Sequence, residues 1–330
     1  MRADVTVIIP TYNVEDYIEK CLESLEQQTY KNFEAWIIDD GSPDNSKEIA
    51  KKFVEKDSRF KLKQKENGGY GSVLQYGIKN IKSKYFLICD PDDWLAQNAL
   101  EKLYSVAEED NLDMVVGNKF NVYENTLTKE EITTFSDNLG IKPNKVYEGN
   151  EVKKLMLGLV SPHSKLFKTK IARNIIFPHH VSYTDFILYI KSVNNASRAE
   201  YIDIPLSYYL IERPGNTTTD ARASIIKDYI IGWEYLWRQL SATEKDNSYI
   251  ELILYKQIKY MLTEYRHIKN QKDAIPYLDK IYKLLNLLKP YEKNILSKLR
   301  EYGSLKDVIL CKLLFNDYLK ARISKIIIKK

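Results

Sequence analysis

Tyr85-Phe-Leu-Ile-Cys-Asp-Pro-Asp-Asp-Trp94 sets a short apolar run directly against three carboxylates. The run has the length and composition of a buried strand, and Pro91 ends it. Two more runs of the same kind precede it. Val5-Thr-Val-Ile-Ile-Pro10 is one, and Phe33-Glu-Ala-Trp-Ile-Ile38, closed by Asp39-Asp40-Gly41-Ser42, is the other. Between the first two, Val14, Tyr17, Ile18, Cys21, Leu22 and Leu25 recur at the spacing of one helix face. Further helices are expected over 44–54, 72–81 and 99–108, and further strands over 60–64 and 113–117. Strands alternating with helices at this spacing predict an α/β fold, a largely parallel, doubly wound sheet covered on both faces. In such a sheet the ligand crevice lies at the carboxyl ends of the strands. Both acidic loops fall at such ends.

The chain has 330 residues, of which 44% are apolar and 29% charged, which excludes a disordered chain and predicts two domains. The expected division is a catalytic domain over 1–220 and a helical, basic domain over 221–330. The first 220 residues carry 28 Lys and Arg against 33 Asp and Glu, and the rest carry 22 against 12. A basic helical tail reads either as a solvated face or as a surface for anionic lipid or an anionic glycan. Lysine-flanked apolar clusters over 305–330 favour an interfacial helix. No nucleic-acid motif accompanies the charge, so nucleic acid is not an expected partner. No apolar run approaches the roughly 20 residues that span a bilayer, and no signal-peptide pattern opens the chain. Three scattered cysteines form neither a disulfide framework nor a metal motif. These features predict a cytoplasmic protein with peripheral contact at the inner membrane face.

Three carboxylates within residues 90–93 form a hard oxygen-ligand set for Mg²⁺ or Mn²⁺. A metal there would bridge a diphosphate and offset the charge of a leaving group. An acidic cap for the helix at Ala99 is the structural alternative. Asn67-Gly-Gly-Tyr-Gly-Ser72 opens a helix and offers backbone N–H groups to an anion, or else makes a tight turn. No P-loop, G-x-S-x-G or HExxH motif occurs.

Val5-Thr-Val-Ile-Ile-Pro-Thr-Tyr-Asn13, Gln28-Thr-Tyr-Lys-Asn-Phe-Glu34, Ile38-Asp-Asp-Gly-Ser42 with Asp44, and Asp90-Pro-Asp-Asp93 resemble, in this order and spacing, the motifs of family 2 glycosyltransferases. The resemblance implies a GT-A fold, Rossmann-like, that binds a nucleotide-sugar and transfers the sugar with inversion to a glycan acceptor. It implies that Thr11, Tyr12 and Asp40, with neighbouring Pro10, hold the uracil of a UDP-sugar. Asn67 and Gly68 follow in the donor site. It also implies that Asp90 and Asp92 form the D-x-D pair, with Asp92 the direct metal ligand and Asp90 nearer the ribose. Tyr183-Thr-Asp185 resembles the later acidic motif whose Asp is the catalytic base, with Thr184 where Glu is usual. Leu74-Gln75 stands where many members have Arg-Asn. The segment 209–218 resembles the loop that closes on the diphosphate, and Arg213 would then replace the cation missing at Leu74.

General-base chemistry gives Asp185 an independent rationale: inverting transfer needs one carboxylate to take the acceptor's proton. The structural alternative is a cap for a helix over 186–192. His163, and more weakly His179 and His180, are candidates to donate to phosphate or acceptor. Trp94 and some of the tyrosines are candidates to stack on sugar. A module that binds nucleotide or glycan without turnover is the other function class. Retention of Asp90 and Asp92 speaks against it. A sugar-nucleotide pyrophosphorylase would want a Gly-rich basic loop where Pro10-Thr-Tyr-Asn13 stands.

Overall fold

The apolar runs become β1 (Val5–Thr11), β2 (Phe33–Asp39), β3 (Phe60–Gln64) and β4 (Tyr85–Ile88), a parallel block in the order β3-β2-β1-β4. The period of two along β1 divides its side chains between two faces. Val5, Val7 and Ile9 enter a core shared with Ile18, Leu22 and Leu25 of α1 (Ile18–Glu26) and Leu100 and Leu103. Ile8 faces the other way. There Gly77 of α3 (Tyr70–Asn80) comes so close that an added Cβ would lie 2.9 Å from Ile8 Cδ1. Helix α2 (Ser46–Lys56) adds Ala50 and Phe53 to the first core, and α4 (Ala99–Glu109) adds Leu100, Leu103 and Ala107. Each fully buried Val, Leu or Ile stabilises the fold by about 1.5–3 kcal/mol relative to exposure. This is the covered α/β sheet that the periodicity predicts. Asn98 takes the N-cap position of α4 without a side-chain hydrogen bond, and the Leu100 N–H donates to Gln28 Oε1 instead, so residues 90–93 do not serve as its cap.

The computed structural model describes residues 2–213, 223–268 and 275–316. The chain divides into two compact units, Met1–Asn216 and Thr217–Lys330. In the first unit the sheet continues through six more strands. They are β5 (Trp94–Leu95), β6 (Met114–Tyr123), β7 (Lys129–Ile132), β8 (Lys145–Glu148), β9 (Lys165–Lys168) and β10 (Arg198–Ile211). The full order is β3-β2-β1-β4-β9-β6-β10-β5, with β7 on β6 and β8 on β10. Strand β9 runs antiparallel to both β4 and β6, and β10 runs parallel to β6. Two helices, α5 (Thr169–Ala172) and α6 (Asp185–Asn195), complete this unit.

The stretch after residue 120 is irregular by pattern, yet it supplies four strands. Its longest, β10, carries Pro205, and its register against β6 shifts on either side of that residue. A proline cannot donate to the ladder, so the strand survives only by bulging there, and the bulge breaks the period-two pattern.

The second unit is helical: α7 (Ala223–Gln239), α8 (Ala242–Lys245), α9 (Ser248–His267), α10 (Ile275–Leu288), α11 (Glu292–Tyr302) and α12 (Leu305–Phe315). Helix α9 packs against α7, α10 and α11. Trp233 is fully buried, and its indole N–H donates to the Leu254 carbonyl at 3.1 Å. Ser241 and Ser304 start α8 and α12 with capping boxes. Of the lysine-rich terminal stretch, α12 exposes Leu305 and Ile309, and residues 317–330 lie outside the described ones. No described helix is long and apolar enough to cross a membrane. All three cysteines are free and buried, with Cys21 Sγ 3.6 Å from Cys89 Sγ.

Candidate functional site

Parallel strands β1, β2 and β4 end on one edge of the sheet, and three further elements bring side chains to that edge. Thr11 and Asp39 are register partners at the ends of β1 and β2, and β4 runs out two residues before Asp90. Because β9 is antiparallel, it starts at this same edge, so His163, just ahead of it, arrives beside the acidic loop. Strand β10 ends there as well, and helix α6 begins with Asp185.

Asp40 is 2% exposed. Its carboxylate accepts the Gly68 N–H at 3.1 and 3.2 Å and the Gly69 N–H at 2.7 Å. It also pairs with Lys65 Nζ at 2.5 Å, and Lys65 donates in turn to Ser72 Oγ. The turn at 67–71 is therefore organised around a side-chain anion from its own chain. Gly69 has φ of +78°, and a Cβ on Gly71 would lie 2.4 Å from the Pro178 carbonyl oxygen, so both positions need glycine. Thr11 is buried with its hydroxyl donating to the Ile9 carbonyl, while Tyr12 is 49% exposed beside it and Asn67 is exposed. Pro10 is buried in β1.

In the second acidic loop each carboxylate has its own partners. Asp90 Oδ1 accepts the Tyr70 hydroxyl at 2.9 Å. Asp92 Oδ2 is held by Arg213 through Nε and an NH2 group, each at 2.6 Å. Asp93 Oδ1 accepts the Leu210 N–H at 2.8 Å, and its Oδ2 lies 2.6 Å from His163 Nε2. Burial, joined by the charges of Asp92 and Asp90, pushes Asp93 well above the usual carboxylate range. Burial, joined by Lys119 and Lys165, holds His163 well below the usual imidazole value. Both shifts favour a neutral pair sharing one proton between Oδ2 and Nε2. The other ring nitrogen, Nδ1, is buried without a hydrogen-bond partner among the described residues.

Asp185 is the first residue of α6 and accepts the Phe186 N–H at 2.9 Å. It thus sits at a helix start, as the structural alternative expects, and lies close enough to Asp90 to act on it. Burial pushes its pKa up to about 6, against the lowering effects of that hydrogen bond, Lys165 and Lys119. Asp90 is pushed up to about 7 by burial and by Asp92, with Asp185 adding to the rise. Four carboxylates therefore share one desolvated edge with too little positive charge beside them.

Several groups here carry no signal in the sequence. Tyr70 lies within the Gly-rich stretch and Lys65 two residues before it, but neither is a motif position. Lys119, from the middle of β6, is buried with its ammonium 4.0 Å from the centre of the Tyr209 ring. Desolvation lowers Lys119 to about 8, even though Asp93, Asp185 and Asp90 act to raise it. Lys165 is lowered to about 7, chiefly by burial, and donates to the Ser161 carbonyl at 2.6 Å. Cross-strand register, which no local pattern encodes, puts both lysines here.

Other candidates are engaged elsewhere. Leu74 is fully buried, and Gln75 bonds the Ile175 carbonyl and the Phe177 N–H. His180 donates its backbone N–H to the Gly68 carbonyl at 2.7 Å, a structural tie to the turn. The Trp94 ring is stacked on Tyr208 at 5.3 Å and covered by Lys20 Nζ at 3.3 Å, which corrects the expectation that it is open to a sugar. The expected closing loop lies partly outside the described residues, which stop at Arg213 on its side.

The edge fits a divalent cation. Asp90 Oδ2 and Asp92 Oδ1 accept no hydrogen bond among the described residues, which leaves two hard oxygen donors. Asp90, Asp93 and His163 also offer ligand atoms within 4.8 Å of one another. A cation would offset the crowding of negative charge that raises Asp90 and Asp93.

A family model for glycosyl transferase family 2 matches residues 6–195. The glycosyltransferase GlyA of Streptococcus pneumoniae is 37% identical over 180 residues, which is 52% of this chain and 25% of GlyA. The glycosyltransferase GlyG of the same organism is 39% identical over 121 residues, 36% of this chain and 40% of GlyG. The matched part of this chain thus spans less than half the length of either relative. Among solved structures, residues 1–349 of S. aureus TarS in complex with UDP-GlcNAc superpose with a TM-score of 0.69. That match covers 97% of this chain and 92% of the other at 19% identity, a likeness of fold.

Proposed function

Because the chain belongs to glycosyl transferase family 2, we propose that it transfers a sugar from a UDP-sugar to a hydroxyl of a glycan acceptor, with inversion. The observation that carries this reading is the meeting of Asp90, Asp92 and Asp93 with Asp185 on one strand-end edge. Names of relatives support it: GlyA and GlyG are glycosyltransferases, and the fold neighbour TarS is in complex with UDP-GlcNAc.

In this reading Pro10, Thr11, Tyr12 and Asp40 line the uracil side, and Asn67 and Gly68 continue the donor site. Asp185 accepts the proton of the acceptor hydroxyl as that oxygen attacks the anomeric carbon. The bond from that carbon to the diphosphate breaks, and its electron pair leaves with UDP. General-base help of this kind contributes about 10²–10⁴-fold. Mg²⁺ or Mn²⁺ held by Asp90 and Asp92 would supply positive charge for the diphosphate. Arg213, Lys119 and His163 are the further groups proposed to face it. Acceptors within reach of this chemistry are surface polysaccharide, lipid-linked oligosaccharide and glycoprotein glycan.

A screen of donor hydrolysis across UDP-sugars, with and without Mn²⁺, tests the proposal. Release of UDP from one donor, dependent on the metal, is expected. No release from any UDP-sugar under either condition would overturn it.

A further inference from the structure

Within the helical unit, α9, α11 and the start of α12 form an open cleft of about 370 Å³. That volume lies in the range of small-ligand sites. Its lining combines Tyr255, Tyr260 and Tyr302 with Lys256, Lys259 and Asp307. Tyr260 is 44% exposed although it packs edge-on against Tyr229, so part of its ring faces solvent. Tyr255 is fully buried in the lining, with its hydroxyl beside the Cys311 thiol. Lys259 is paired with Asp307, so their charges cancel. Lys256, part-buried beside them, makes no ion pair among the described residues and leaves the cleft with a net positive charge.

We propose that this cleft binds an acidic glycan, a short saccharide segment carrying carboxylate or phosphate groups. A tyrosine ring offers an apolar face to the flat side of a sugar. Lys256 suits the acidic substituent. The excess of 22 Lys and Arg over 12 Asp and Glu in residues 221–330 would draw such a chain toward this unit. The concave shape favours a single saccharide segment over a lipid surface, which would meet a flat face. The assignment rests on the transferase reading and deepens it by giving the acceptor a second binding site, on the helical unit.

Calorimetry on the full chain tests it with two acidic probes, tetragalacturonate and a glycerol-phosphate oligomer. Maltotetraose is the neutral control, and phosphatidylglycerol vesicles are the lipid control. At least one acidic probe should bind more tightly than maltotetraose. Lys256→Ala and Tyr260→Ala should each weaken it about five- to tenfold, with UDP affinity unchanged. Both side chains are at least partly exposed, and circular dichroism checks that the variants fold. Absence of acidic-probe binding, equal binding by the variants, or binding only to the vesicles would each overturn the proposal. UDP binding on the same preparations keeps the two readings apart: its absence beside retained glycan binding would count against the transferase reading alone.

Discussion

His163 Nε2 lies 2.6 Å from Asp93 Oδ2, and both side chains are almost wholly buried. The two groups come from separate parts of the chain and hydrogen-bond each other where little water reaches them. His163→Phe fills the space but leaves the Asp93 oxygen without its partner. The expected loss is about 1–3 kcal/mol of stability, read by chemical denaturation. Stability equal to the parent chain would show that the pair is not a structural tie.

Divalent-cation dependence should appear in nucleotide binding. Calorimetry of UDP binding, with Mn²⁺ or with EDTA, is expected to show tighter binding with the metal for the parent chain. Asp92→Ala and Asp90→Ala should each abolish that difference. Equal affinity in every combination would remove the metal from the site.

Asp185 is expected to act on turnover and not on donor affinity. Asp185→Asn keeps the shape but cannot accept a proton, so turnover should fall about 10²–10⁴-fold with UDP affinity nearly constant. The pH profile carries the same information. With its pKa raised to about 6, chiefly by burial, Asp185 is protonated and inactive as a base below that value. Turnover should therefore decline on the acid side of pH 6 and level off above it. A variant within a few-fold of the parent would make another group the base, with His163 next in line.

Glu251 gives the helical unit its own pH dependence. It is fully buried on α9; its Oε1 accepts from Asn294 at 3.2 Å, and its Oε2 has no partner among the described residues. Burial raises its pKa from the ordinary 4.5 to about 7. Between those values the folded protein keeps a proton that the unfolded chain has released. Stability attributable to this group is thus greatest below pH 4.5 and declines as pH rises to about 7. Glu251→Gln should stabilise the protein by about 1–3 kcal/mol at pH 8 and flatten this dependence. Thermal denaturation at pH 5 and pH 8 measures it, and an unchanged pH dependence would exclude Glu251 as the source.

The strands β1 to β4 and the helices around them were legible in the amino-acid pattern, because periods of two and 3.6 residues are local properties. Strand ends marked Asp40, Asp90 and Asp92, and motif resemblance marked Asp185. What those carboxylates meet is set by packing across the whole sheet. Asp40 meets Lys65 and the Gly68 and Gly69 amides, Asp92 meets Arg213, Asp93 meets His163, and Lys119 and Lys165 lie buried nearby. Each meeting depends on which strand lies beside which, and in what direction and register. The antiparallel placement of β9 alone brings His163 to the acidic edge. Pairings of that kind are set by packing the whole sheet, and the burial that shifts Asp90, Asp93 and Asp185 exists only once the sheet has closed over them.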